Sequence, residues 1–168
     1  ASGATAYIGF YDLAKPKPGD IVLVSAAAGT VGSIVCQLAR HSGCKVIGIA
    51  GNQVKCDFLV KELGVDGAIN YKKSNVAEEL KAHCPKGIDI YFDNVGGKIL
   101  DNALDIIRPR ARVILCGATS QYEADGSWYG PKNYFNLVYR EAIMQGFYIF
   151  NYRDRFADAY RRLSELIN

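Results

Sequence analysis

The sequence lacks any apolar run approaching the about 18 residues that a membrane-crossing helix needs, and no charged-then-apolar leader opens it. Neither a helical membrane span nor a signal peptide is therefore expected in the chain as written. Its five cysteines, Cys36, Cys44, Cys56, Cys84 and Cys116, form no C-x-x-C pair, and the two histidines, His41 and His83, stand far apart. The usual zinc-ligand spacings are therefore missing, and free thiols in a reducing cytoplasm are expected. No Ser-His-Asp or Cys-His set is apparent. The net charge of +3 is too small to imply a nucleic-acid partner. Repeats, low-complexity tracts and linkers are also absent.

What is present is the composition of an ordinary soluble domain, 49% hydrophobic and 22% charged over 168 residues. That length suffices for one core burying roughly 70% of the unfolded surface. The stretch Ile21–Gly32, IVLVSAAAGTVG, reads as a strand, a tight turn and a helix whose first N–H groups stay open. Such a helix start attracts anions, and small residues let a pyrophosphate approach the backbone. Gly29, Thr30, Val31 and Gly32 are the candidate phosphate cradle. The spacing departs from G-x-G-x-x-G, because Ala27 stands where the first glycine would be.

Around this stretch, strands alternate with helices of about ten residues. Expected strands are Ile21–Ser25, Lys45–Ala50, Ala68–Tyr71, Ile88–Asp93 and Arg112–Cys116. Expected helices are Thr5–Ala14 with Thr5 as cap, Thr30–Arg40, Gln53–Leu63, Val76–Ala82 and Ile99–Ile107, the last stopped at Pro109. The alternation predicts an α/β fold, a Rossmann-type doubly wound parallel sheet in three layers, with about six strands in the order 3-2-1-4-5-6. Beyond Cys116 the aromatic residues crowd together. A helix near Asn133–Arg140, a sixth strand at Gly146–Asn151 (GFYIFN) and a last helix from Asp154 are expected. That sixth strand would be an open edge, covered either by the last helix or by a homodimer partner.

The end of the second strand discriminates between cofactors. An NAD site places an acid about 20 residues past the glycine turn, on the ribose hydroxyls. Here the residues are Ile49-Ala50-Gly51-Asn52, with Lys55 following. A carboxylate would repel a 2′-phosphate, whereas Asn52 and the Lys55 ammonium suit one, which favours NADP(H). A solvated helix-surface lysine is the plainer reading of Lys55. Tyr71 can line the adenine pocket or be an ordinary strand-end tyrosine. Asn94 can meet the ribose or nicotinamide, or only shape its turn. Cys116, Gly117, Ala118, Thr119 and Ser120 end the fifth strand where a nicotinamide would lie, and Tyr122 is the phenol placed to reach a substrate carbonyl. An S-adenosylmethionine methyltransferase shares the sheet type, but it favours an acid near Ala50–Gly51 and has no use for Lys55.

Taken together, SAAAGTVGS, INYK (69–72), YFDNVGG (91–97), CGATSQY (116–122), GPKNY (130–134) and the GFYIFNY segment (146–152) resemble the medium-chain dehydrogenase/reductase superfamily. Within it the chain is similar to the zinc-free leukotriene B4 dehydrogenase/prostaglandin reductase branch, and the resemblance covers essentially the whole chain. It implies NADPH-dependent reduction of the double bond of an enone or enal. Gly29–Gly32 would hold the pyrophosphate, Lys55 and Tyr71 the 2′-phosphate end. Asn94, Cys116–Tyr122 and the backbone of Phe147, Tyr148 and Ile149 would line the ribose and nicotinamide. Tyr122 would hydrogen-bond the substrate carbonyl. Ala1 stands where zinc-dependent relatives place a cysteine ligand, so no metal is expected.

The resemblance further implies a GroES-like catalytic domain before this region and a return segment after it. The chain starts at Ala1 without methionine and stops at Asn168 with helical periodicity running, so residues 1–168 are expected to be the excised NADP-binding domain. The alternatives are a quinone oxidoreductase of the same superfamily and, for the isolated chain, a non-catalytic NADP-binding module. The expected partners are a small-molecule enone, enal or quinone and a second copy through Gly146–Asn151, with neither nucleic acid nor membrane.

Overall fold

The computed structural model describes residues 1–121 and 125–167. Six parallel strands form one sheet in the order 3-2-1-4-5-6. In chain order they are β1 (Ile21–Val24), β2 (Lys45–Ala50), β3 (Gly67–Asn70), β4 (Ile88–Asp93), β5 (Ile107–Leu115) and β6 (Ile143–Gly146). The helices are α1 (Ser2–Tyr7), α2 (Thr30–His41), α3 (Gln53–Lys61), α4 (Val76–His83), α5 (Gly97–Leu104), α6 (Asn136–Tyr139) and α7 (Phe156–Ile167). A wider π-helical stretch, Ile8–Ala14, continues α1.

The central strands are apolar on both faces because each face is covered by helices. Val22, Val24, Val46, Ile90, Phe92 and Ile114 enter one core, with side chains from α1, α2 and α3. The alternate residues Ile21, Leu23, Ile47, Ile49, Tyr91 and Val113 enter the other, with Leu80 of α4 and Leu100, Ala103 and Leu104 of α5. This two-residue alternation is the pleat itself. Glycines bring layers close where needed: a Cβ on Gly9 would lie 2.8 Å from the Phe92 ring and 2.9 Å from the Phe147 ring.

Four expectations need correction. The first helix begins at Ser2, so Thr5 is no cap; its hydroxyl donates to the Ala1 carbonyl one turn back, at 2.9 Å. The fifth helix ends at Leu104, and β5 already begins at Ile107. Pro109 sits inside that strand beside an irregularity, where Arg110 takes φ 61° and the β4–β5 register shifts. A bulge tolerates a residue with no N–H to donate, so the proline did not mark a boundary.

The helix expected near Asn133–Arg140 is the single turn of α6. The sixth strand is Ile143–Gly146, not Gly146–Asn151. Gly146 pairs with Leu115, the last residue of β5, so the chain leaves the sheet there. The aromatic segment beyond it packs on the helical layer. Phe147 meets Gly9 and lies edge-on to Tyr152, and Ile149–Arg155 forms a 3-10 helix.

Candidate functional site

Every helix that follows a strand in β1–β4 starts at the carboxyl edge of the sheet, but these starts are not alike. Asn52 caps α3 by accepting from Lys55 N at 2.8 Å, and Asn75 caps α4 by accepting from Glu78 N at 3.1 Å. The helices after β1 and β4, α2 and α5, have glycine at the cap position, Gly29 and Gly96, and no side-chain cap. β1 and β4 are the neighbours at which the strand order reverses. Uncapped N–H groups thus flank the crevice where open α/β sheets bind ligands.

The turn into α2 is built around Ala26, which takes φ 45° and accepts from Gly29 N at 3.0 Å. Ala27 N donates to Ile49 O at 3.0 Å, tying the turn to β2. A Cβ on Gly32 would lie 2.3 Å from the Ala26 carbonyl oxygen, so only glycine fits at the first turn of the helix. Gly29 and Thr30 are exposed. Ala27, where the motif would have its first glycine, is fully buried, and its methyl fills the room that Gly48 leaves on β2, 2.9 Å from where a Gly48 Cβ would be. The alanine is absorbed by the core and leaves the anion-facing backbone unchanged.

Across the crevice a buried polar group ties β1 to β4. Asn94 N donates to Ser25 Oγ at 2.9 Å, and Asn94 Nδ2 donates to Ser25 O at 2.8 Å. Asp93 Oδ1 accepts from Tyr91 Oη (2.8 Å), Val95 N (3.0 Å) and Gly96 N (2.8 Å), while its Oδ2 is buried without a partner among the described residues. Burial raises the Asp93 carboxyl above the ordinary 3.8, against those hydrogen bonds, and pushes the Tyr91 phenol well above 10.0. Asn94 is therefore a cross-strand tie, and its side chain keeps Oδ1 and its second amide hydrogen for a ligand.

Cys116 and Gly117 donate their N–H groups to Asp93 O, and Thr119 N and Ser120 N donate to Asn94 O and Val95 O. Residues 116–120 thus fold over the start of α5. They stand beside a cavity of about 380 Å³ lined in part by Asp93, Gly96, Cys116 and Trp128. Burial, and then the Asp93 charge, push the Cys116 thiol up to about 11.

At the adenosine side, Lys55 is exposed in the first turn of α3, and Tyr71 follows β3 directly. The carboxyl edge thus gathers the sequence-derived positions: 29–32 after β1, 52 and 55 after β2, 71 after β3, 94 after β4, 116–120 after β5 and 147–149 after β6. Tyr122 lies outside the described residues. Sequence places Ser25 and Asp93 as polar residues closing the first and fourth apolar strands, but does not show that the two are tied to each other. His83 lies elsewhere, 3.5 Å from Glu79, its carbonyl accepting from Lys45 at the amino edge.

A profile of the zinc-binding dehydrogenase family matches residues 30–165. The chain is 47% identical over 148 residues to the NADP-dependent oxidoreductase RED1 of Cochliobolus heterostrophus, covering 88% of this chain and 42% of that protein. It is 45% identical over 151 residues to (+)-pulegone reductase of Mentha piperita, with 89% and 44% covered. The crystal structure of CurA in complex with NADPH from Vibrio vulnificus superposes with a TM-score of 0.93 at 41% identity, over 99% of this chain and 51% of that one. The chain spans about half the length of the relatives it matches.

Proposed function

Because this chain belongs to the zinc-binding dehydrogenase family, we propose that it is the cofactor-binding part of an NADPH-dependent reductase of α,β-unsaturated ketones and aldehydes. The family name implies zinc. Among the described residues no group of three or more His, Cys, Asp or Glu side chains could hold a metal ion, so the residues present do not fit one. No step is assigned to zinc. No helix among them is long and apolar enough to cross a membrane.

One observation carries the reading: an uncapped glycine turn at the switch point stands beside a second strand that ends in Ala50-Gly51-Asn52 instead of an acid. The first feature suits a pyrophosphate, and the second suits a 2′-phosphate. In this reading the backbone of Gly29–Gly32 holds the pyrophosphate. Asn52, Lys55 and Tyr71 surround the adenosine ribose. Asn94 Oδ1, residues 116–120 and the backbone of Phe147–Ile149 orient the nicotinamide.

When NADPH is bound, it supplies the hydride that reaches the β-carbon of the substrate. Negative charge then gathers on the carbonyl oxygen as an enolate, a hydrogen-bond donor aimed there lowers the barrier, and a proton from solvent completes the product at the α-carbon. Tyr122 is the proposed donor. Cys116 lines the cavity beside the start of α5. With its thiol held at about 11 it remains protonated at neutral pH, and a thiol adds to an electrophilic alkene far less readily than a thiolate.

The test is a titration of the complete protein with NADPH and NADH, followed by enone-dependent NADPH oxidation. NADPH should bind at least about tenfold more tightly, in keeping with one added charged hydrogen bond. Tyr122→Phe should lower kcat by about 100-fold at unchanged NADPH affinity. Equal affinities overturn the cofactor assignment, and tight binding without turnover leaves a binding module.

A homodimer belongs to the same reading. β6 is the last strand of the sheet, and Ile143 on it, with Val138 and Tyr139 beside it, is exposed. An apolar open edge of this kind supports pairing with a second copy through Ile143–Gly146. Light scattering should then find a dimer that Ile143→Lys converts to monomer; a monomeric wild type overturns it.

A further inference from the structure

We propose that Lys72 is a second cation for the adenosine 2′-phosphate, reaching from the turn after β3 into the notch that Gly51 leaves at the end of β2. The inference rests on the NADPH reading above and extends it to a residue outside the glycine turn and α3.

The notch is defined by what a side chain on Gly51 would meet. A Cβ there would lie 3.3 Å from both Cε1 and Oη of Tyr71 and 3.6 Å from Cε of Lys72. Gly51 follows β2 directly, where the ribose-binding acid of an NAD site stands. The region an acid would occupy is thus bordered by a phenol and an aliphatic stem that ends in an ammonium. The substitution of charge is complete: no carboxylate at the end of β2, and a lysine whose stem passes the same point.

The turn that carries Lys72 is held in place. Asn70, which is buried, accepts Lys72 N on its side-chain oxygen at 3.2 Å and accepts Lys73 N and Ser74 N on its carbonyl. Tyr71 N donates to Ala50 O at 3.2 Å, joining the turn to the last residue of β2. The Lys72 ammonium lies 6.0 Å from the centroid of the Tyr71 ring, at the edge of cation–π range.

Lys55 belongs to another element, the first turn of α3, whose cap Asn52 adjoins Gly51. Among the described residues, neither Lys55 nor Lys72 is ion-paired to a carboxylate. Both charges are therefore available to a dianionic phosphate. Of the two neighbouring exposed lysines in this turn, Lys72 and not Lys73 supplies one of the three atoms nearest the position of a Gly51 Cβ, a distinction that sequence does not make.

The experiment measures dissociation constants of the complete protein for NADPH and NADH by nicotinamide fluorescence at low salt. Lys72→Ala should weaken NADPH by about tenfold, with NADH changed less than about twofold. Lys72→Arg should keep most of the NADPH affinity, and Lys73→Ala should leave both constants as in wild type. Added salt should narrow the gap between wild type and Lys72→Ala, because exposed charges are screened. An unchanged NADPH constant in Lys72→Ala, or equal losses for the two cofactors, overturns the inference. A wild type that does not prefer NADPH overturns the cofactor reading itself, and this inference with it.

Discussion

The two edges of the sheet are built from the same materials and put them to different uses. At the amino edge, carboxylates close gaps between strands. Asp89 of β4 accepts the N–H of Ile21 at 2.8 Å and meets Arg108 at 3.4 Å, and Asp66 accepts the N–H of Val46 at 2.8 Å. Asp20 takes both Lys17 N and the guanidinium of Arg112, at 2.9 and 2.8 Å. At the carboxyl edge Asp93 serves its own turn, and the helix starts at Gly29 and Gly96 are left without side-chain caps. At the first edge the N–H groups of Lys17, Ile21 and Val46 are met by the protein's own carboxylates. The other edge withholds partners from a few of its backbone groups, and those are the groups that a ligand can satisfy.

This contrast breaks most severely at Gly32. In Gly32→Ala the new Cβ would sit 2.3 Å from a backbone carbonyl, and the turn must move as a unit. Overpacking of this kind costs about 1–3 kcal/mol of stability. NADPH affinity should fall by on the order of 100-fold, since the displaced turn is the one proposed to hold the pyrophosphate. Urea melts and cofactor titration check the two effects, and normal NADPH binding would refute the assignment of this edge to the ligand. The smaller effect is expected at Asp20. Asp20→Ala removes the partner of Arg112, whose Nε is already buried without a hydrogen bond among the described residues. A loss of about 2 kcal/mol is expected. NADPH affinity should stay within about twofold; a parallel loss would mean that the two edges are not separable in function.

The doubly wound parallel sheet was readable because apolar strands alternate with helices and crossovers are right-handed, and the order 3-2-1-4-5-6 is the one that goes with a dinucleotide-type glycine turn after the first strand. The candidate site was readable for the same reason, since a residue that follows a strand in such a fold must stand at the carboxyl edge. Sequence failed where local chemistry had two outcomes. Pro109 reads as a stop and is tolerated in a bulge. Phe147 to Phe150 have strand propensity, which expresses fit to a half-buried pleated surface, and here Phe147 finds its burial against Gly9 instead. The Ser25–Asp93–Asn94 ties were beyond reach because they join positions 68 and 69 residues apart. Lys72 and Lys73 are alike in sequence, and only the position of Gly51 beside one of them tells them apart.

The bond between Asp89 and Ile21 N also has a consequence in time. It joins residues 68 positions apart, so β1 gains its second neighbour only after β2 and β3 have been made and passed over. At about 5–20 residues per second of synthesis, that interval is roughly 3–14 s. Once β2 is made, β1 can pair with it on one side while its other side, later the floor of the crevice, stays bare until β4 follows. Pairings this distant in sequence are slow to close. The seam between β1 and β4 is therefore expected to be the late step in folding, and the same seam is where the dinucleotide is proposed to lie.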